Sequence, residues 1–111
     1  MDVWTSGRLI EPTGTIAVES EADGHVLRLI GDVDATVVNA LHDEHSLEDL
    51  RVLAVDVREL AYIDSTGLTL LVRWAQDAHR DGRPATVRHA GPRFERVIDM
   101  AGLTALFERV P

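Results

Sequence analysis

Several short runs of this chain carry side chains able to do chemistry. In Asp64-Ser65-Thr66-Gly67 a hydroxyl follows a carboxylate, where an apolar run (Arg51 to Val57) gives way to an amphipathic one (Leu68 to Ala78). A strand-to-helix junction of this kind gathers free backbone N–H groups and the positive end of a helix dipole. A hydroxyl there can cap the helix, bind an anion or carry a phosphate. Asp32 and Asp34 flank Val33, a pairing open to acid–base work. His42-Asp43-Glu44-His45 has the residue types of a metal site, with two imidazoles at i and i+3. Ser65 with His79 or His89 has the residue types of a hydrolase.

Most of these readings lack a partner. No Cys and no further spaced His completes a ligand set around His42 and His45, so that run reads as a solvated helix end and no metal is expected. Asp34 has a structural task as an N-cap, and no second acid is spaced with Asp32 for glycoside chemistry. The residue two before Ser65 is Ile63, not the Gly of a nucleophile elbow. There is no Gly-rich phosphate loop, and all 11 basic residues are Arg, which excludes Lys-based phosphate or Schiff-base chemistry. The expectation is a protein that is not an enzyme and needs no cofactor.

The elements that must position these residues follow from periodicity. Residues 1–14, with Gly7, Pro12 and Gly14, show no sustained period and read as an arm; Leu9 and Ile10 are candidates for pairing at a sheet edge, and Trp4 for packing on the body. Thr15 to Glu19 and Val26 to Ile30 read as an antiparallel hairpin, with Asp23-Gly24 supplying positive φ at the turn. Asp34 opens a first helix, on which Val37, Val38, Leu41 and His45 fall at helical spacing. Val52 to Val57 is nearly all apolar, as a strand buried on both faces should be. A second helix runs from about Ser65 to Asp81, with Leu68, Leu71, Val72, Ala75 and Ala78 as its apolar stripe and Gly82 as its stop. Ala85 to Arg88 is a further strand. Pro92 starts a third helix facing Phe94, Val97, Ile98 and Ala101 inward, and Leu103 to Val110 closes the chain. Strands alternating with helices imply a largely parallel sheet with right-handed crossovers.

At 111 residues, 45% apolar and 27% charged, the chain suits one globular domain. Its apolar runs are far short of the roughly 20 residues that span a bilayer. The start, Met1 to Gly7, has neither the basic nor the apolar region of a secretory signal, so the expected location is cytoplasmic. A net charge of −8 disfavours nucleic acid and anionic membranes as partners and favours a protein with a basic docking face.

Gly31-Asp32-Val33-Asp34, then Asp64-Ser65-Thr66-Gly67-Leu68, then Ala101-Gly102-Leu103-Thr104-Ala105-Leu106-Phe107 stand in this order and at suitable spacing. The series resembles the STAS domain family over about residues 15–110, and within it the stand-alone anti-sigma factor antagonists of bacteria. The resemblance implies an α/β domain over residues 15–111: a mixed, mostly parallel sheet of four to five strands, an N-terminal antiparallel hairpin, and helices packed on it. It implies that Ser65 is phosphorylated by an anti-sigma factor that is itself an ATP-using kinase. The unmodified antagonist binds that kinase and frees a sigma factor, phosphorylation ends the binding, and a phosphatase restores it. Asp32, Asp34, Asp64, Thr66 and Gly67 would then face the partner. Leu70 and Trp74, off the main stripe of the second helix, either fill the edge of the core or join that docking face. Three departures stand out: Thr69 in place of a small Gly, Ala90-Gly91-Pro92 in place of a polar turn, and an end at Pro111 where many relatives add a helix. The last would bare apolar surface and leave pairing with a second copy open. Two other readings stay open. One is a STAS scaffold or adaptor subunit of a stress-signalling or lipid-transport assembly. The other is a domain that holds a nucleotide or other anion at the second helix's start.

Overall fold

The computed structural model describes residues 13–47 and 49–111. The arm expected over residues 1–14, with Trp4, Leu9 and Ile10, lies outside the described residues except for its last two, Thr13 and Gly14. Strands are β1 (Gly14–Glu21), β2 (Gly24–Val33), β3 (Val52–Asp56), β4 (Leu60–Ile63), β5 (Thr86–Arg88) and β6 (Glu108–Val110). Helices are α1 (Ala35–Glu44), α2 (Ser65–Arg80) and α3 (Pro92–Met100), and a 3-10 turn covers Thr104–Leu106. The strands form one sheet in the order β1-β2-β3-β5-β6, with β4 also paired to β2. Only the β1–β2 pairing is antiparallel among those described; the rest are parallel. This is the expected mixed, mostly parallel sheet with a leading hairpin, in six strands rather than four or five.

The hairpin turns through Ala22-Asp23, with Glu21 opposite Gly24. No residue of that turn has positive φ, which corrects the reading of Asp23-Gly24. Gly24 serves a different need: a Cβ there would sit 2.4 Å from the Arg51 carbonyl oxygen, so β2 can start against the chain leading into β3 only without a side chain.

Strand alternation sorts the two faces of the sheet. Leu27, Leu29 and Val33 of β2, Val55 of β3 and Val87 of β5 are fully buried, and Ile16 and Val18 of β1 lie opposite Leu29 and Leu27. One continuous core joins these side chains to Val37, Val38 and Leu41 of α1, Leu70, Leu71, Trp74 and Ala75 of α2, and Phe94 and Ile98 of α3. The three helices therefore share one face. The other face carries charges: Arg28 pairs with both Glu19 and Glu59, and Arg88 grips Glu21 at 2.9 and 3.1 Å. The Arg88 hydrogen bonds hold the Glu21 carboxyl below the ordinary carboxylate range.

Two strands were not foreseen. β4 has only four residues, and Tyr62-Ile63 reads from sequence as part of the helix junction. β6 is three residues, Glu-Arg-Val, too short to show a period. Ala101, expected to face the core, is exposed at the C-cap of α3, because that helix ends one residue earlier.

Candidate functional site: a paired helix start with an exposed serine

β3 and β4 run along the same side of β2, separated by the turn Val57–Glu59. Gly31 makes that step workable. It adopts φ +71, its amide donates to the Glu59 carbonyl at 2.9 Å, and the β2 register shifts just after it. Beyond the shift, Asp32 lies opposite Tyr62 and Val33 opposite Ile63. The next residues on the two strands are Asp34 and Asp64, and each starts a helix. Two helix N-termini thus leave adjacent parallel strands side by side, at the carboxyl ends where sites gather in open α/β sheets.

Both caps are closed in the same way. Asp34 Oδ1 accepts from the Val37 amide at 3.1 Å, and Asp64 Oδ1 accepts from the Gly67 amide at 2.9 Å. The Asp64 amide donates to the Val33 carbonyl at 3.1 Å, which ties the start of α2 to the end of β2. Substituting Asp64→Ala removes the cap while leaving Ser65 in place. The expected cost is about 1 kcal/mol, or roughly 4 °C in Tm; thermal unfolding followed by circular dichroism checks it, and an unchanged Tm would mean that the cap holds nothing. Asp32 is engaged too, accepting from the Thr13 hydroxyl at 3.1 Å.

Ser65 is the first residue of α2 and is exposed. Among the described residues its hydroxyl has no hydrogen-bond partner. The Thr69 hydroxyl, one turn on, donates to the Ser65 carbonyl at 2.8 Å and is thereby occupied. Thr66 is half-buried beside them. Ser65, Thr66, Thr69 and Arg73 of α2 face Val38, Asn39 and His42 of α1 across a groove of about 330 Å³, with Leu70 at its floor. Periodicity contained part of this: Ser65, Thr69 and Arg73 recur every four residues, and Asn39 and His42 are three apart. What it lacked was the packing of α1 beside α2. Among the described residues no group of three or more His, Asp or Glu is placed to hold a metal ion, and no helix is long and apolar enough to cross a membrane.

Gly67, expected to face a partner, is buried, and Leu70 and Trp74, read either as core edge or as part of a docking face, take the first of those places. Leu70 and Trp74 are 4% and 6% exposed. Trp74 stacks on Phe107 with ring centroids 6.3 Å apart, and its indole N–H donates to the Val52 carbonyl at 3.2 Å. They fill the core, because α2 presents the line Gly67, Leu70, Leu71, Trp74, Ala75 and Ala78 to the sheet; Leu68 and Val72 sit at its margin. Gly67 is buried as well. A Cβ on it would lie 2.5 Å from Ile63 Cγ1 and 3.1 Å from the Val33 carbonyl oxygen, so it admits the sheet rather than a partner. Asp32, Asp34, Asp64, Ser65 and Thr66 do converge on one corner.

A hairpin-led mixed sheet with helices on one face, and a hydroxyl at the second helix start, defines an α/β domain of STAS type. The family model described as "Mlab, STAS domain" matches residues 16–108, and the chain belongs to the STAS domain family. Two solved structures are similar in fold. One is the anti-sigma factor antagonist SpoIIAA in its unphosphorylated form, with TM-score 0.67 and 18% identity over 86% of this chain and 88% of that one. The other is the Bacillus cell fate determinant SpoIIAA in the phosphorylated form, with TM-score 0.63 and 18% identity over 86% and 91% of the two chains.

Proposed function

We propose that this protein is an anti-sigma factor antagonist that works by partner switching. It is cytoplasmic and performs no catalysis. With Ser65 unmodified it binds an anti-sigma factor of the serine-kinase type; phosphorylation of Ser65 releases it, and a phosphatase resets it. The observation that carries this reading is the exposed hydroxyl of Ser65, without a hydrogen-bond partner among the described residues, on the first turn of a capped helix in a STAS domain similar in fold to SpoIIAA.

The chemistry supports each step. A corner between a strand and a helix is reachable by another protein's active site. A phosphate adds close to two negative charges. The start of α2 stabilises them within the chain. Across an interface the same charges must be desolvated beside Asp64, Asp34 and Asp32, and like-charge contacts cost several kcal/mol. Roughly 2.7 kcal/mol suffices for a hundredfold loss of affinity. No refolding is required, in keeping with the fold that SpoIIAA has in both its unphosphorylated and phosphorylated forms.

The test is intact-mass measurement after incubation with a kinase-type anti-sigma factor and ATP. One phosphate should be added, and Ser65→Ala should abolish it. Ser65→Asp should bind that kinase about a hundredfold more weakly than wild type; equal binding would sink the switch. A second reading, a scaffold whose Ser65 corner only docks, draws on the family description, which carries the name Mlab. A complex indifferent to ATP and to Ser65→Ala would favour it.

A further inference from the structure

The groove beside Ser65 has a charge opposite to that of the whole protein. The chain has 19 acidic and 11 basic side chains. Yet among the described residues no carboxylate lines the groove between α1 and α2. Its charged or ionisable lining is Arg73 and His42, and the rest is Asn39, Ser65, Thr66, Thr69 and the apolar floor of Val38 and Leu70. Of the acids near it in sequence, Asp34 and Asp64 close the helix caps, Asp77 pairs with Arg80, and Asp43 and Glu44, exposed just after His42, lie outside the lining. Elsewhere on the described surface, Arg28, Arg80, Arg83, Arg88 and Arg109 each meet a carboxylate, while Arg51, Arg58, Arg93 and Arg96 meet none among the described residues and lie outside this groove. Arg73 is exposed and has no carboxylate within ion-pair distance among the described residues. His42 contributes an N–H donor in either protonation state.

From this charge complementarity we infer that the groove receives an acidic segment of the partner protein, an apolar side chain resting on Val38 and Leu70 and a carboxylate meeting Arg73 and His42. The occupant being the partner of the switch rests on the function proposed above; the groove's preference for anions does not. The inference also gives the phosphate a second action. Ser65 lines the same groove, so a phosphate on it places a dianion where the partner's carboxylate must come in. Release then follows from competition for one cationic groove as well as from repulsion at the acidic corner.

Three short peptides alternating leucine with glutamate, with glutamine or with lysine serve as probes, titrated to about 1 mM into the isotopically labelled full chain at low salt and followed by amide NMR. The glutamate peptide should shift the amides of Asn39, His42, Thr66, Thr69 and Arg73, and the other two should bind about two- to fivefold more weakly. Arg73→Glu should weaken the glutamate peptide by about fivefold, and Ser65→Asp should weaken it too. Arg80→Glu, outside the groove on the same helix, should leave it unchanged. Both arginines are exposed, so neither substitution threatens the fold. The absence of any shift, shifts centred elsewhere, or unaltered binding by Arg73→Glu would each overturn the inference. Since no kinase is present, these outcomes stand apart from whether Ser65 is ever phosphorylated.

Discussion

Trp74→Ala should lower stability by about 4 kcal/mol, within the range for removing a large aromatic side chain from a core. At roughly 4 °C per kcal/mol for a domain of this size, Tm should fall by about 15 °C. Several losses combine. The indole is 6% exposed, stacks on Phe107, and belongs to the core that joins all three helices to the sheet. Its N–H also leaves the Val52 carbonyl, though Arg83 Nη1 still donates to that oxygen at 3.3 Å. Trp74→Phe keeps the stack and should cost only about 1 kcal/mol, the ordinary worth of one hydrogen bond. Thermal and urea unfolding of both variants measures this. If Trp74→Ala keeps the wild-type Tm and loses only partner binding, the indole belongs to a docking surface and its place in the core is wrong.

Gly67→Ala is expected to destabilise by about 2 kcal/mol, against the usual direction for a helix. At an exposed helical site the same change stabilises by up to ~1 kcal/mol. Here the added methyl meets Ile63 Cγ1 at 2.5 Å, Ile63 Cδ1 at 3.0 Å and the Val33 carbonyl oxygen at 3.1 Å. Cγ1 is the stem of a buried, stiff side chain, and the carbonyl belongs to β2, so neither gives way cheaply. The start of α2 must move outward, and the hydrogen bond from the Asp64 amide to Val33 must lengthen with it. If Ser65 is phosphorylated as proposed, phosphate transfer to it should slow together with the loss in Tm. A Tm equal to or above wild type would show that α2 has room to spare.

Much of this fold was legible because its signals are local. The hairpin strands, the cap Asp34 and the stop at Gly82 follow from residue types at fixed offsets. β4 was hidden because strand character in Leu60-Ala61-Tyr62-Ile63 comes from its pairing with β2, not from any period of its own. The face of α2 was misjudged by one position in the turn. Leu68 to Ala78 holds enough apolar residues to draw more than one stripe, and only the line of approach to the sheet selects Leu70 and Trp74 over Leu68 and Val72. The corner of Asp32, Asp34, Asp64 and Ser65 came from a motif, whereas Asn39 and Arg73 entered the site through tertiary packing that a motif does not encode.

β2 is bonded to three other strands, β1, β3 and β4, and both helix starts hang from its end. The corner bearing Ser65 can loosen only when the middle of the sheet loosens, so it belongs with the slowest-opening part of the molecule rather than with its fraying loops. On the proposed function, a partner arriving there would meet a surface that needs no rearrangement. On that function, little ordering entropy would be lost on contact, and the encounter rate would be governed by orientation and long-range charge instead of by a rearrangement of this domain.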